Sequence, residues 1–213
     1  MKVLITGTAQ GIGRSIALLF LKNGHSVTGI DKCPSTIEEE NYTHLTADIT
    51  GALPEVSDVQ ILINNAGVQD CNDIEVNLCG TIAVTEKYAF NDKIRSVLFI
   101  ASASASSGAE FPAYAASKGG VVAYMKNVAL RLAPYGATAN SLSPGGVYTK
   151  SNDRVIKDKT LWKQIMDQTL LPKWATEDEI AEWAYFITVV NKSMTAQDIL
   201  VDNGEQAKSK FIW

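Results

Sequence analysis

The chain predicts an α/β fold: one domain over residues 1–213, built on a doubly wound parallel sheet of about seven strands with helices on both faces. Three observations predict it. Short apolar runs alternate with helix-length amphipathic segments. Glycines and turn residues separate them. The chemically unusual residues all follow expected strands: TGTAQGIG, Asp31, Asp48, NNAG, Ser102 and PGG. Sheets of this kind bind ligands at the carboxyl ends of their strands, so this shared placement is the first functional evidence.

The elements follow in order. Lys2–Thr6 is apolar and runs into glycines, so a buried strand. Ile12, Ile16, Leu19 and Phe20 recur at helical spacing over 12–23, and Gly24 stops that helix. His25–Ile30 is a second strand, Thr43–Ala47 a third and Val59–Ile63 a fourth. Thr50–Asp58 gives nine residues for the crossover between the last two, too few for a full helix, so a loop or single turn is expected. Glu75–Phe90 reads as a helix, with an abrupt start near Asp73. Ser96–Ala101 is the fifth strand, Tyr114–Leu132 a long helix closed by Ala133-Pro134, and Thr138–Leu142 the sixth strand. A helical flap is expected over 150–174, a helix over Glu177–Val189 and a last strand over Asp198–Val201.

Composition excludes several classes. Apolar residues are 46% and charged residues 20%, a soluble balance. A net charge of −4 without a basic cluster argues against nucleic acid and anionic membranes as partners. No apolar run is long enough to span a bilayer, and VLI after Lys2 is too short for a signal-peptide core. Cys33, Cys71 and Cys79 form no CxxC pair, and with two histidines no zinc site is expected. Buried free thiols in a reducing cytoplasm are the expectation.

The glycine stretch has a physical reading. Gly7 lets the strand turn, Gly11 clears space for a phosphate, and Gly13 lets the helix approach the sheet. The helix start offers N–H groups and partial positive charge to a pyrophosphate. Asp31, 18 residues beyond Gly13, can accept hydrogen bonds from both adenosine ribose hydroxyls and would repel a 2′-phosphate. NAD is therefore favoured over NADP, with Lys32 acting in the opposite sense.

In its motifs the chain resembles a short-chain dehydrogenase/reductase of the single-domain, Rossmann-like kind. TGTAQGIG resembles that family's TGxxxGxG loop, Asn64–Gly67 its NNAG and Tyr114-Ala115-Ala116-Ser117-Lys118 its YxxxK. Pro144-Gly145 with Val147 and Thr149 resembles its PG motif. Thr195–Gly204 resembles its closing strand, with Ala196 and Asn203 where glycines are usual.

The resemblance implies an oxidoreductase moving a hydride between NAD(H) and an alcohol or ketone. Tyr114 and Lys118 are one helical turn apart and share a face. A nearby ammonium would bring the phenol down toward neutral pH, making Tyr114 the general acid in reduction and the general base in oxidation. By resemblance Lys118 also holds the nicotinamide ribose. Ser102 falls at the family's catalytic serine, with Ser104 as runner-up, and Asn77 supports a proton path to the lysine. The implied cofactor set is Gly7, Gln10, Gly11, Ile12, Gly13, Asp31, Asp48, Ile49, Asn65, Ala66, Gly67, Tyr114, Lys118, Pro144, Gly145, Val147 and Thr149. Asp48 would meet the adenine amino group with Ile49 near the ring. Val147 and Thr149 would meet the carboxamide.

Other readings remain open on the sequence: a non-catalytic nucleotide sensor, an NADPH-dependent 3-oxoacyl reductase-like enzyme, or another Rossmann enzyme such as a methyltransferase, which leaves YxxxK idle. The flap carries Leu161, Trp162, Ile165, Met166, Leu170, Leu171 and Trp174, which either line an apolar substrate pocket or pack on the sheet or a partner. A homodimer or homotetramer is expected. The 75–90 and 114–132 helices are its interface candidates, because Val121, Val122, Met125, Val128, Ala129 and Leu132 make too wide an apolar set for one stripe.

Overall fold

The computed structural model describes residues 1–109 and 111–208, with backbone only at position 151. The last five positions of the 1–213 domain lie outside the described residues. Strands β1 (Lys2–Thr6), β2 (Ser26–Asp31), β3 (Tyr42–Thr46), β4 (Ile61–Asn64), β5 (Ser96–Ile100) and β6 (Thr138–Pro144) precede a two-residue pair, β7 (Val147–Tyr148) and β8 (Ala175–Thr176), and then β9 (Asp198–Val201). Seven of them form one sheet in the order β3-β2-β1-β4-β5-β6-β9, and every pairing is parallel. This is a Rossmann-like α/β fold.

Strand alternation sorts the core into two layers. Leu4, Leu62, Val97 and Phe99 face one side, where α2 (Thr81–Tyr88) and α4 (Pro112–Leu132) bring Val84, Val121, Met125 and Val128. Val3, Ile5, Ile61, Ile63 and Leu98 face the other, where α1 (Gly11–Lys22) and Glu177–Tyr185 bring Ile16, Phe20, Ile180 and Ala184. The central strands are therefore apolar on both faces, as a covered parallel sheet requires.

Differences from the expected boundaries have local causes. The His25 N–H closes the end of α1 by donating to the Phe20 carbonyl, with Gly24 at φ +75°, so β2 starts one residue later. Pro112 opens α4 at its first turn, two residues before Tyr114. β6 runs on to Pro144 because Ser143 and Pro144 pair with Leu200 and Val201. No regular element fills the chain between β3 and β4, in keeping with its length.

Four expectations are corrected. The helix expected over 75–90 is a π-helix over Ile74–Gly80 followed by α2, so its register shifts partway. The helix expected over Glu177–Val189 likewise ends in a π-helical turn, Phe186–Val190. The three cysteines are exposed, not buried. The wide apolar set of α4 is not an outer face: Val121, Met125, Val128, Ala129 and Leu132 are all buried within the chain. Gly119 and Gly120 face the Ala105 carbonyl and the Leu78 side chain of the same chain.

The flap is helical in three pieces: a 3-10 turn (Lys150–Asn152), then α5 (Asp153–Lys157) and α6 (Lys159–Met166), after the short α3 (Ser104–Ser107) earlier in the chain. Glu177–Tyr185 is α7, opened by a capping box between Thr176 and Glu179. No helix among the described residues is long and apolar enough to cross a membrane.

Candidate active site

The carboxyl ends of β1, β2, β4, β5 and β6 open into one cleft of about 640 Å³, within the range of small-ligand and cofactor sites. Gly7 turns the chain there at φ +77°, and a Cβ at this position would lie 2.8 Å from Asn65 Nδ2 and 2.9 Å from Ala66 Cα. Gly11 opens α1 at φ +64° with its Cβ direction nearly empty. Gln10 gives the helix no side-chain cap, and no acid occupies its first turn. The helix start thus faces the cleft with free donors. Gly13 does not line the cleft: a Cβ there would overlap the Gly7 carbonyl and Asn65 side chain. Its expected cofactor contact is corrected to a packing role, holding α1 on the sheet.

Backbone wiring fixes the floor. Asn65 Nδ2 donates to the Thr6 and Gly7 carbonyls, each at 3.0 Å, while the Asn65 and Ala66 N–H groups donate to Thr6 Oγ1. Asp31 is held by two backbone donors, Ala9 N–H on Oδ2 and Cys33 N–H on Oδ1, both at 2.9 Å. Asp48 Oδ1 accepts from the Thr50 N–H at 2.9 Å and hydroxyl at 2.8 Å, which hold its carboxyl below the usual range. Asp48 thus caps a turn and also lines the cleft, and buried Ile49 beside it packs over Gly80.

The cleft's far end carries the reactive hydroxyls. Ser102 and Tyr114 both line it. Burial pushes the Tyr114 phenol up, the Ser102 hydroxyl acts in the opposite sense, and the Asp73 charge adds to the rise. Lys118 is 5% exposed, and its Nζ donates to the Ile100 carbonyl at 2.9 Å. Burial brings it down to about 8. Its Nζ lies 5.7 Å from the Tyr114 ring centroid. The expectation that Lys118 lowers Tyr114 is therefore corrected: here desolvation wins, and the ammonium lies beside the ring, bonded to a carbonyl. Ser104 lies outside the cleft at the start of α3.

Asn77 is buried behind the cleft wall, not in it. Its Oδ1 accepts from the Val68 N–H at 2.7 Å, and its Nδ2 donates to the Val68 carbonyl and to Ser117 Oγ. It ties the segment after NNAG to α4. The Pro144 carbonyl accepts from Ala103 N–H, and Gly145 N–H donates to Val201. The Val147 carbonyl is taken by Asn152 Nδ2 and Thr149 N–H. Pro144, Gly145, Val147 and Thr149 all line the cleft, as do Gln10, Ile12 and Gly67.

The flap contributes Lys150 and Asn152 to the cleft, next to Thr149. Its aromatics pack on one another instead: Trp162 and Trp174 stand edge to face at 5.0 Å, with Tyr148 at 5.5 Å from Trp162. Trp174 lies flat against Gly146. Residues absent from the sequence-based set include Arg14, Thr36, Gln69 and Glu177. Arg14 carried a signal, since it directly follows the glycine loop. Glu177 carried none; it arrives from α7, and burial and Asp178 push its carboxyl up.

The cleft fits a dinucleotide: a bare glycine turn, an uncapped helix start and a backbone-held acid stand at one end, and a phenol and hydroxyl at the other. The model of the short chain dehydrogenase family matches residues 1–160, and the chain belongs to that family. It is an NAD(P)-dependent oxidoreductase acting on CH–OH or keto groups. Among curated proteins, it is 28% identical to the 3-oxoacyl-[acyl-carrier-protein] reductase FabG of Chlamydia pneumoniae, covering 95% of this chain and 96% of that one. Among solved structures, 4-hydroxyisoleucine dehydrogenase complexed with NADH matches with a TM-score of 0.88 at 22% identity, covering 98% and 99% of the two chains. An Agrobacterium tumefaciens structure with bound NADP matches at 0.86 and 22%, covering 97% and 96%. These two share the fold.

Proposed function

We propose that this chain catalyses reversible hydride transfer between NAD(H) and an alcohol or ketone, with Tyr114 as general acid and base. The meeting of Tyr114 and Ser102 in the cleft, with Lys118 buried beside them, carries the reading. The pyrophosphate would rest on Gly11 and Ile12, the adenosine ribose on Asp31, and the nicotinamide end against Pro144–Thr149 and Lys118. When bound, the nicotinamide supplies or accepts the hydride. Ser102 Oγ–H donates to the substrate oxygen as charge develops there. In reduction the Tyr114 hydroxyl gives its proton to that oxygen; in oxidation the phenolate takes it. The Ser102 hydroxyl opposes the rise that burial causes in Tyr114, and Lys118 is proposed to hold the nicotinamide ribose. Asn77 acts indirectly, by fixing Val68 and Ser117 around the lysine.

NAD is proposed over NADP because the Asp31 carboxylate stands where a 2′-phosphate would go. The full-length match to 3-oxoacyl reductases supports a second substrate reading, a 3-oxoacyl thioester, which belongs in the first panel. Residues 150–174 are proposed as the substrate flap of a single 1–213 domain. The three free thiols fit a reducing compartment, so a cytoplasmic setting is proposed. A homo-oligomer is proposed as well.

A panel of alcohols, ketones and 3-oxoacyl thioesters, followed by nicotinamide absorbance with each cofactor, tests the reading. Tyr114→Phe should keep cofactor binding, measured by fluorescence titration, and lose about 100-fold or more in turnover. Near-normal turnover in that variant would sink the mechanism.

A further inference from the structure

Asp73 stands at the N-terminus of the π-helix, four residues before Asn77. It is 4% exposed, and its Oδ1 has no hydrogen-bond partner among the described residues. A buried carboxylate without donors is costly unless a positive charge compensates it. Lys118 is the buried lysine or arginine among the described residues. Of the other buried acids there is Asp202, whose oxygens are both filled by the Gly204 and Gln206 N–H groups. Asp73 and Lys118 are thus buried charges without an ion pair among the described residues, and Asn77, four residues beyond Asp73, stands near Lys118. Asn77 Oδ1 and Lys118 Nζ lie 3.0 and 3.4 Å from the point a Cβ on Gly67 would occupy. Asn77 also bonds Ser117, the residue before Lys118.

We propose that Asp73 is a positioning residue of this site: its buried carboxylate, set behind the cleft by the π-helix, holds Lys118 as an ammonium beside Tyr114. The pairing stands on burial and placement; its catalytic meaning rests on the oxidoreductase reading above. Around Lys118, its own helix presents Tyr114 and Ser117, β5 the Ile100 carbonyl, the chain after β4 Gly67, and α3 only serines and alanine. The π-helix presents Asp73 and Asn77, while its other acid, Glu75, is exposed, as is Asp70 before it. Asp73 is the charge that raises Lys118 against the effect of burial.

The sign follows. Removing the carboxylate leaves a buried ammonium uncompensated, so Lys118 loses its proton at lower pH. The test uses the full ligand-free chain carrying 13Cε-labelled lysine, with the Lys118 signal assigned by its loss in Lys118→Met. In Asp73→Asn the titration midpoint of that signal should fall by about one unit or more, and Asp73→Glu should restore it. An unchanged midpoint in Asp73→Asn would overturn the proposal. Should that variant not fold, Asp73→Ser takes its place, and an unchanged midpoint there overturns the pairing. With a substrate in hand, the alkaline limb of ketone reduction should move down with the midpoint in Asp73→Asn. Absence of any turnover would count against the oxidoreductase reading and leave the titration result standing.

Discussion

Asp31 and Lys118 show how single residues are tuned by what holds them. Both Asp31 oxygens are engaged by backbone donors, which fix the carboxylate at the cleft edge and leave lone pairs for a ribose. Arg14 and Lys32 also line this end, and Arg14 is held on the Thr36 hydroxyl at 3.1 Å. Asp31→Ala should therefore weaken NAD use and relax the bias against NADP, seen as kcat/KM with each cofactor. A wild type that already prefers NADP would reverse the assignment, with Arg14 and Lys32 outweighing the acid. Lys118 has a separate signature in stability. Its proton is held less tightly folded, at about 8, than in an unfolded chain. Below that value both states are charged and the full burial penalty applies, on the order of 3 kcal/mol. As pH rises from about 8 toward the unfolded lysine value, the penalty fades and stability grows. Lys118→Met should flatten that alkaline gain, measured by thermal unfolding across pH. The glycine loop, Asp31 and the Tyr114–Lys118 spacing were legible because each is a local pattern. Asp73 and Glu177 were not, because their meaning depends on which distant groups the fold brings beside them.

At the scale of elements, apolar runs marked the central strands β1, β4 and β5, since strands covered on both faces show in the sequence as continuous apolar segments. Their ends were less legible. Caps such as the Gly24 turn and extensions such as Ser143–Pro144 follow from neighbours in space. The π-helices were illegible for a related reason: one residue of extra register leaves the spacing pattern almost unchanged, yet it moves Asp73 and Asn77 around the helix. The two-residue pair β7 and β8 depends on a partner 28 positions away. The closing strand offers a test of local strain. Ala196 and Asn203 adopt φ +58° and +55°, the left-handed region that a Cβ disfavours. Ala196 is held there by its N–H bond to the Ala139 carbonyl at 2.7 Å. Ala196→Gly should relieve about 1–2 kcal/mol of conformational cost and give back part of it in unfolded-chain entropy. A net gain of roughly 0.5–1 kcal/mol is expected, with a melting temperature higher by about 1–4 °C. Asn tolerates this region, so Asn203→Gly should gain less. Equal or lower stability in Ala196→Gly would mean the turn is not strained.

For the whole molecule, the apolar surplus expected of α4 is used up inside the chain, and exposed apolar side chains lie instead on α7 and β9. Trp183, Phe186 and Val190, on α7 and its π-helical end, are 42%, 46% and 52% exposed. Leu200 on β9 is 42% exposed, and β9 is an edge of the sheet. Trp183 and Phe186 stand edge to face at 6.1 Å, an ordered aromatic pair on the outside of the protein. An open parallel edge and exposed aromatics are each an aggregation hazard unless covered. The cover that resolves this most simply is a second copy related by a two-fold axis, which buries the same patch on both partners. Size exclusion with light scattering should therefore give a mass of at least twice 23.0 kDa. Phe186→Glu should shift the protein toward monomer, because it places a charge in the centre of that contact. A monomeric wild type would contradict the assembly. A variant that keeps the wild-type mass would place the contact on another face, and Leu130 on α4, 76% exposed, is where a second substitution should go.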